Sequence, residues 1–192
     1  MTDYPESKLT LDSVAEHSAN WNRVLYIGWH PSITAWKGTV AGGGGDWYIR
    51  HIWELRQGAP SKHTVIERFK PYYEKLRAHA LTKEYGIHCL NVDVVEWAPV
   101  TCERFDLIIW WHGPEHVKQC ELAPTLVALE KIGTCLILGG PEGPDDYKEP
   151  ESGDAHRCVL TKNMFEELGY RTTSFDRSKR GQGPHISAIK IV

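Results

Sequence analysis

The carboxyl-terminal stretch YRTTSFDRSKRGQGPHISAIKIV, residues 170–192, contains two strand-like runs, 170–175 and 185–192, separated by nine residues. A parallel crossover needs about a dozen residues or more and usually a helix. The last strand is therefore expected to run antiparallel to its neighbours. Working back along the chain, further strands read at 23–27, 63–67, 87–92, 106–111 and 134–138, most of them near-continuous apolar runs of the kind found in strands covered on both faces. Helix-like segments fill the intervals. Together these predict a single-domain α/β fold of seven strands, mostly parallel with the last antiparallel, and helices on both faces. Residues 1–20 read as a lead-in and 21–192 as the domain.

The helices have readable ends. Asp46 is placed to cap a helix over 47–57, on which Ile49, Ile52, Trp53 and Arg56 share a face before Gly58. Pro71 suits the first turn of a helix reaching about residue 84, with Gly86 just beyond it. Pro124 is expected to split or kink the segment 115–131. Thr161 caps a short helix carrying Met164, Phe165 and Leu168, closed by Gly169.

Composition narrows the function classes. Lys plus Arg number 22 and Asp plus Glu 25, a formal net charge of −3, which lacks the basic footprint of a dedicated nucleic-acid binder. With 41% hydrophobic and 24% charged residues, the chain reads as globular rather than disordered. No secretory signal and no apolar run of about 20 residues is present, so neither export nor a membrane partner is expected. The five cysteines, at 89, 102, 120, 135 and 158, have no CxxC spacing and read as reduced thiols of a cytoplasmic protein.

Ligands of open α/β sheets bind beyond the carboxyl ends of the strands. There the sequence places Gly28, Glu67, Asp93 and the run Trp110, Trp111, His112. The ordered pieces RVLYIG (23–28), HTVIERFKPYYEKLR (63–77), GIHCLNVDVVEW (86–97), FDLIIWWHGPEHV (105–117), EKIGTCLILGGPEG (130–143) and FEELGYRTTSF (165–175) cover nearly all of the chain after residue 20. In that order, with an antiparallel last strand, the chain resembles the class I S-adenosylmethionine-dependent methyltransferases, a Rossmann-like superfamily.

The resemblance implies S-adenosylmethionine as cofactor and a site residue by residue. The turn at Ile27, Gly28 and Trp29 would pass the methionine part. Glu67 would accept from both ribose hydroxyls, Arg68 or Phe69 would lie along the adenine, and Asp93 with the Val94 backbone beside it would hold its amino group. Trp111 would line the pocket after strand four. His112, Glu115 and His116 would stand beside the transferred methyl as catalytic residues, and His30, Trp36 and His156 would face the substrate.

The sequence also departs from that pattern. Gly28 is followed by Trp29, His30, Pro31 and Ser32 instead of a GxGxG turn, and 39 positions separate it from Glu67, so the first crossover carries an insertion with a Gly42 to Gly45 run. That run reads as a flexible loop or a mobile lid.

Each site residue has a plainer alternative. Glu67 also suits the amino terminus of the next helix, and Asp93 a helix cap. His112-Gly113-Pro114-Glu115-His116 matches the letters HxxEH of a zinc-protease helix, but Pro114 is incompatible with a continuous helix carrying both histidines, so no metal is expected. His116 also reads as packing under the sheet, and His156 as a solvated loop residue. Arg177, Lys179 and Arg180 form a basic hairpin tip.

The leading functional expectation is methyl transfer to an O or N nucleophile of a small-molecule or saccharide-like acceptor. Absence of an NPPY-like segment after strand four lowers the case for DNA bases. The alternative is a non-catalytic methyltransferase-fold protein binding the cofactor, a nucleotide or a partner chain. A nicotinamide oxidoreductase is disfavoured because GxGxxG is missing, and a homodimer is left open.

Eight Trp stand against four Phe, at 21, 29, 36, 47, 53, 97, 110 and 111. They gather near the expected cofactor edge, either walling a pocket or packing the enlarged first crossover.

Overall fold

The computed structural model describes residues 11–29, 45–144, 155–176 and 183–192; the side chains of 45–50 and of residue 81 lie outside the described set. His30, Trp36, the run 42–44, the basic tip, the Asp46 cap and the Ile49 and Trp47 side chains therefore lie outside it.

Seven strands form one sheet: β1 Arg23–Ile27, β2 Lys62–Ile66, β3 His88–Leu90, β4 Leu107–Trp111, β5 Cys135–Pro141, β6 Arg171–Phe175 and β7 His185–Ile191. Their spatial order is β3-β2-β1-β4-β5-β7-β6. β1 to β5 are mutually parallel, and β7 inserts antiparallel between β5 and β6, pairing Leu138 with Ala188 and Thr173 with Ser187. The short connection from β6 to β7 thus has the antiparallel outcome that chain geometry requires.

The two-residue side-chain period of the strands sends alternate residues to opposite faces. Leu25, Ile27, Ile108, Trp110, Leu136 and Leu138 pack on one face beneath α4 Val94–Trp97, α5 Gln119–Ile132 and α6 Lys162–Glu167. Val24, Tyr26, Leu107, Ile109, Trp111 and Ile137 pack on the other with Leu11, Trp21, Ile52, Tyr72 and Leu76, from the lead-in, α1 Gly45–Arg56 and α2 Lys70–Ala78. Burial of each such side chain contributes about 1.5–3 kcal/mol. The inner strands are covered on both faces as expected, whereas the edge strands are not. β6 has no fully buried position, and its Arg171, Thr172, Thr173 and Ser174 make a polar edge that resists pairing with other chains.

Three helix expectations are corrected. The helix from Pro71 is two helices, α2 and α3 Ala80–Glu84, because the Leu76 carbonyl accepts from His79 N and from Thr82 Oγ1 at 2.5 Å, closing the first helix at an extended His79. Pro124 sits inside α5 without splitting it. The break falls earlier, at Val117 and Lys118, between α5 and a 3-10 turn at Pro114–His116. The left-handed residue ending α1 is Gln57 (φ 58°), with Gly58 N donating back to Trp53 O. Thr161 caps α6 as read, accepting from Met164 N at 3.3 Å.

All five cysteines are free thiols, and burial pushes Cys135 and Cys158 up to about 11. No helix among the described residues is long and apolar enough to cross a membrane.

Candidate active site at the carboxyl edge of the sheet

The strand ends open onto a cleft of about 290 Å³, walled at one end by Gly28, Trp29, Glu67, Phe69 and Asp93 and at the other by Trp110, His112 and His116. A more open recess of about 520 Å³ adjoins it and is lined by Arg68, Asn91, Asp93, Glu96 and Trp97. Ile27, Arg68 and Val94 also border the cleft.

Two short turns shape the first end. Gly28 N extends the sheet ladder to Ile66 O at 2.9 Å, and at φ 81° the chain then leaves the strand in a conformation that favours glycine. Just past β2, Glu67 is buried, and its carboxylate accepts from Trp29 N at 2.9 Å and Phe69 N at 2.6 Å. Glu67 is therefore not the solvated carboxylate of its plainer reading, and it lies outside the first turn of α2, which carries no acidic residue; it ties together the turns after β1 and β2. The carboxylate is an acceptor-only group at the border of the cleft.

Asn91, which the sequence reading missed, donates to Glu67 O at 2.8 Å and Arg68 O at 2.9 Å. A polar amide two residues before the Asp93 cap was its only sequence signal. Asp93 caps α4, its Oδ1 accepting from Val95 N at 2.9 Å while Oδ2 faces Arg68 Nη1 at 3.8 Å.

The second end is built differently. His112 follows β4 in the left-handed region (φ 52°), sparsely populated for a non-glycine residue and characteristic of functional turns. Gly113 is sterically required there: a Cβ would lie 2.1 Å from Trp110 Nε1. The 3-10 turn then drops Glu115 beneath the cleft floor with its side chain 2% exposed.

Facing Glu115 Oε1 are His112 Nδ1 at 3.3 Å and His156 Nε2 at 3.9 Å, and the His116 and His156 rings pack edge to face at 4.9 Å. The His112 ring also meets buried His185 at 5.2 Å. Burial opposes the charged Glu115 carboxylate, but the long polar contact from His112 and the positive potential of His112 and His116 outweigh it, holding the group below its ordinary range. His156 is brought in by the backbone: Glu115 O accepts from Arg157 N at 2.7 Å and Cys158 N at 3.0 Å.

The structure therefore gathers Ile27, Gly28, Trp29, Glu67, Arg68, Phe69, Asp93, Val94, His112 and His116 around the cleft, with Glu115 and His156 directly behind it. Trp111 is corrected. It is the next strand residue, hence on the opposite face, where it packs with Ile109 and Ile137 over Gly139, and Trp110 lines the cleft in its place. Among the tryptophans with described side chains, Trp29, Trp97 and Trp110 wall the cleft or recess, and Trp21 and Trp53 pack the first crossover.

No family model and no curated protein matches the sequence. Solved structures do match in fold. The methyltransferase domain of bacterial CtHen1 is similar with a TM-score of 0.56 at 13% identity, over 97% of this chain and 99% of that chain. DhpI in complex with SAH gives 0.58 at 11%, over 99% and 88%. The N-terminal domain of EvdMO1 in the presence of SAH and D-fucose gives 0.61 at 15%, over 100% and 84%. The chain has the fold of the class I S-adenosylmethionine-dependent methyltransferases.

Proposed function

We propose that the chain binds S-adenosylmethionine in this cleft and transfers its methyl group to an O or N nucleophile of a small-molecule or saccharide-like acceptor. The observation that carries the reading is one cleft joining an acceptor-rich end, Glu67 and Asp93, to a histidine end at the same sheet edge. Neighbours of the same fold were crystallised with SAH, one of them with D-fucose also.

The donor set fits the cofactor. The Glu67 carboxylate borders the cleft as an acceptor of the kind ribose hydroxyls need, Asp93 Oδ2 faces Arg68 Nη1 at 3.8 Å, and among the described residues nothing beyond its chain neighbours lies within 4 Å of a would-be Gly28 Cβ, leaving room for the methionine portion. When bound, S-adenosylmethionine supplies a methyl on a positively charged sulfur, so the protein has chiefly to orient the acceptor and exclude water. Trp29 and Trp110 supply the apolar wall. His112 turns Nδ1 toward Glu115, which leaves Nε2 to take a proton from the acceptor.

Thermal unfolding with S-adenosylmethionine, S-adenosylhomocysteine and NAD tests the reading. The first two should stabilise by about 2.7 kcal/mol at 100 times Kd, with NAD silent and Glu67→Ala abolishing the effect. No response to either sulfur compound at millimolar concentration defeats it. A mixed-acceptor screen then asks whether methyl release depends on His112 and His116.

A further inference from the structure

Glu115 is a buried carboxylate: both of its oxygens are sealed from solvent, and among the described residues no hydrogen bond of good geometry reaches either of them. Burying such a group uncompensated costs several kcal/mol. What surrounds it instead are imidazoles. One donor atom each from Glu115, His116 and His156 lie within 4.8 Å of one another. Nitrogen and oxygen ligands at about 2.0–2.2 Å from one ion stand about 3–4 Å apart, so modest side-chain rotation closes the set.

We propose that Glu115, His116 and His156 bind one first-row divalent cation of the Zn²⁺ or Co²⁺ type. Two imidazoles with one carboxylate disfavour Ca²⁺ and Mg²⁺, which take oxygen ligands. Three protein ligands leave a coordination position open, and His116 borders the cleft, so that position faces the acceptor end. His112, contacting Glu115 Oε1 at 3.3 Å, orients the ligating carboxylate from behind. The ligands are not the pair that HxxEH spelling suggests. Glu115 and His116 are joined by a histidine 40 positions on, and the earlier expectation of no metal is replaced by this proposal.

On the methyl-transfer reading, on which this role rests, the open position takes an acceptor hydroxyl and lowers its pKa. The hydroxyl proton passes to His112 Nε2. The oxygen lone pair forms the new C–O bond to the methyl carbon while the C–S bond breaks and its electron pair returns to sulfur, giving S-adenosylhomocysteine.

The test uses the full chain stripped with a chelator and titrated with Co²⁺ and then Zn²⁺, followed by calorimetry and Co²⁺ absorption. One equivalent should bind, with a visible Co²⁺ spectrum that Zn²⁺ displaces. Glu115→Gln, His116→Ala and His156→Ala should each weaken uptake about 100-fold, and His112→Ala about tenfold. His156 lies in an irregular segment ahead of α6, so its variant stays folded by near-ultraviolet circular dichroism. Absence of stoichiometric uptake by the wild-type chain, or unchanged affinity in folded His156→Ala, overturns the site. The S-adenosylhomocysteine response is measured on the same samples: metal uptake without that response leaves the metal site standing and removes methyl transfer, and the reverse result separates them the other way.

Discussion

The two ends of the cleft each centre on a buried glutamate, and the two are satisfied in opposite ways. Glu67 accepts from the amides of Trp29 and Phe69. Glu115 instead meets imidazole nitrogens, at 3.3 and 3.9 Å. A carboxylate held by fixed amides is a rigid acceptor, suited to ligand hydroxyls. One faced by imidazoles has neighbours that can carry a proton or ligate a cation. On the proposed reading, the same side chain sets up recognition at one end and chemistry at the other.

The sharpest way to break the comparison is Glu67→Ala. Two ribose hydroxyl bonds to a charged acceptor contribute about 3–6 kcal/mol together, so S-adenosylhomocysteine affinity should fall at least 100-fold by calorimetry, while metal uptake at Glu115 persists. Retained affinity would show that Glu67 only ties the turns.

His63 isolates burial from partnership. Both of its ring nitrogens are sealed without a hydrogen-bond partner, and burial pushes it down to about 4. The unfolded chain binds a proton below about pH 6.5 that the folded state refuses until about pH 4. Stability contributed by the neutral ring is therefore complete above pH 6.5 and lost as pH falls toward 4, by about 3 kcal/mol. Urea unfolding at pH 7.5 and 4.5 should show that loss, and His63→Val should reduce it. An unchanged pH slope in the variant would assign acid sensitivity to other groups.

Gly113→Ala puts a Cβ against the Trp110 indole at the histidine end. Overpacking of this kind costs about 1–3 kcal/mol and should also shift the His112 turn, read as a lower Tm with weaker Co²⁺ uptake. The smallest effect is at the opposite end: Asp93→Ala removes the cap of α4 for about 1 kcal/mol, with Asp93→Asn recovering most of the stability. If the asparagine variant also restores S-adenosylhomocysteine binding, charge at Asp93 is unnecessary for recognition.

The placement of the Glu67 end of the cleft was largely legible in the sequence because its parts are local to strand ends. Gly28, Glu67 and Asp93 each follow an apolar run by one to three positions, and backbone geometry alone then delivers them to the same edge. The side of the sheet was not legible at Trp110 and Trp111. Two identical residues in succession must face opposite ways, and only strand register decides which one meets the cleft.

The sequence by itself determined the strands, the antiparallel direction of the last one and which residues follow the strand ends, since side-chain period and loop length are local constraints. The histidine cluster was decided by the tertiary structure. His156 reaches Glu115 because the Glu115 carbonyl captures the amides of Arg157 and Cys158 from across 40 residues of chain. Hydrogen bonds between segments so far apart have no periodic signature, and the 3-10 turn that buries Glu115 is set by Pro114, the Gly113–Trp110 contact and the close approach of Gly140 to its carboxylate.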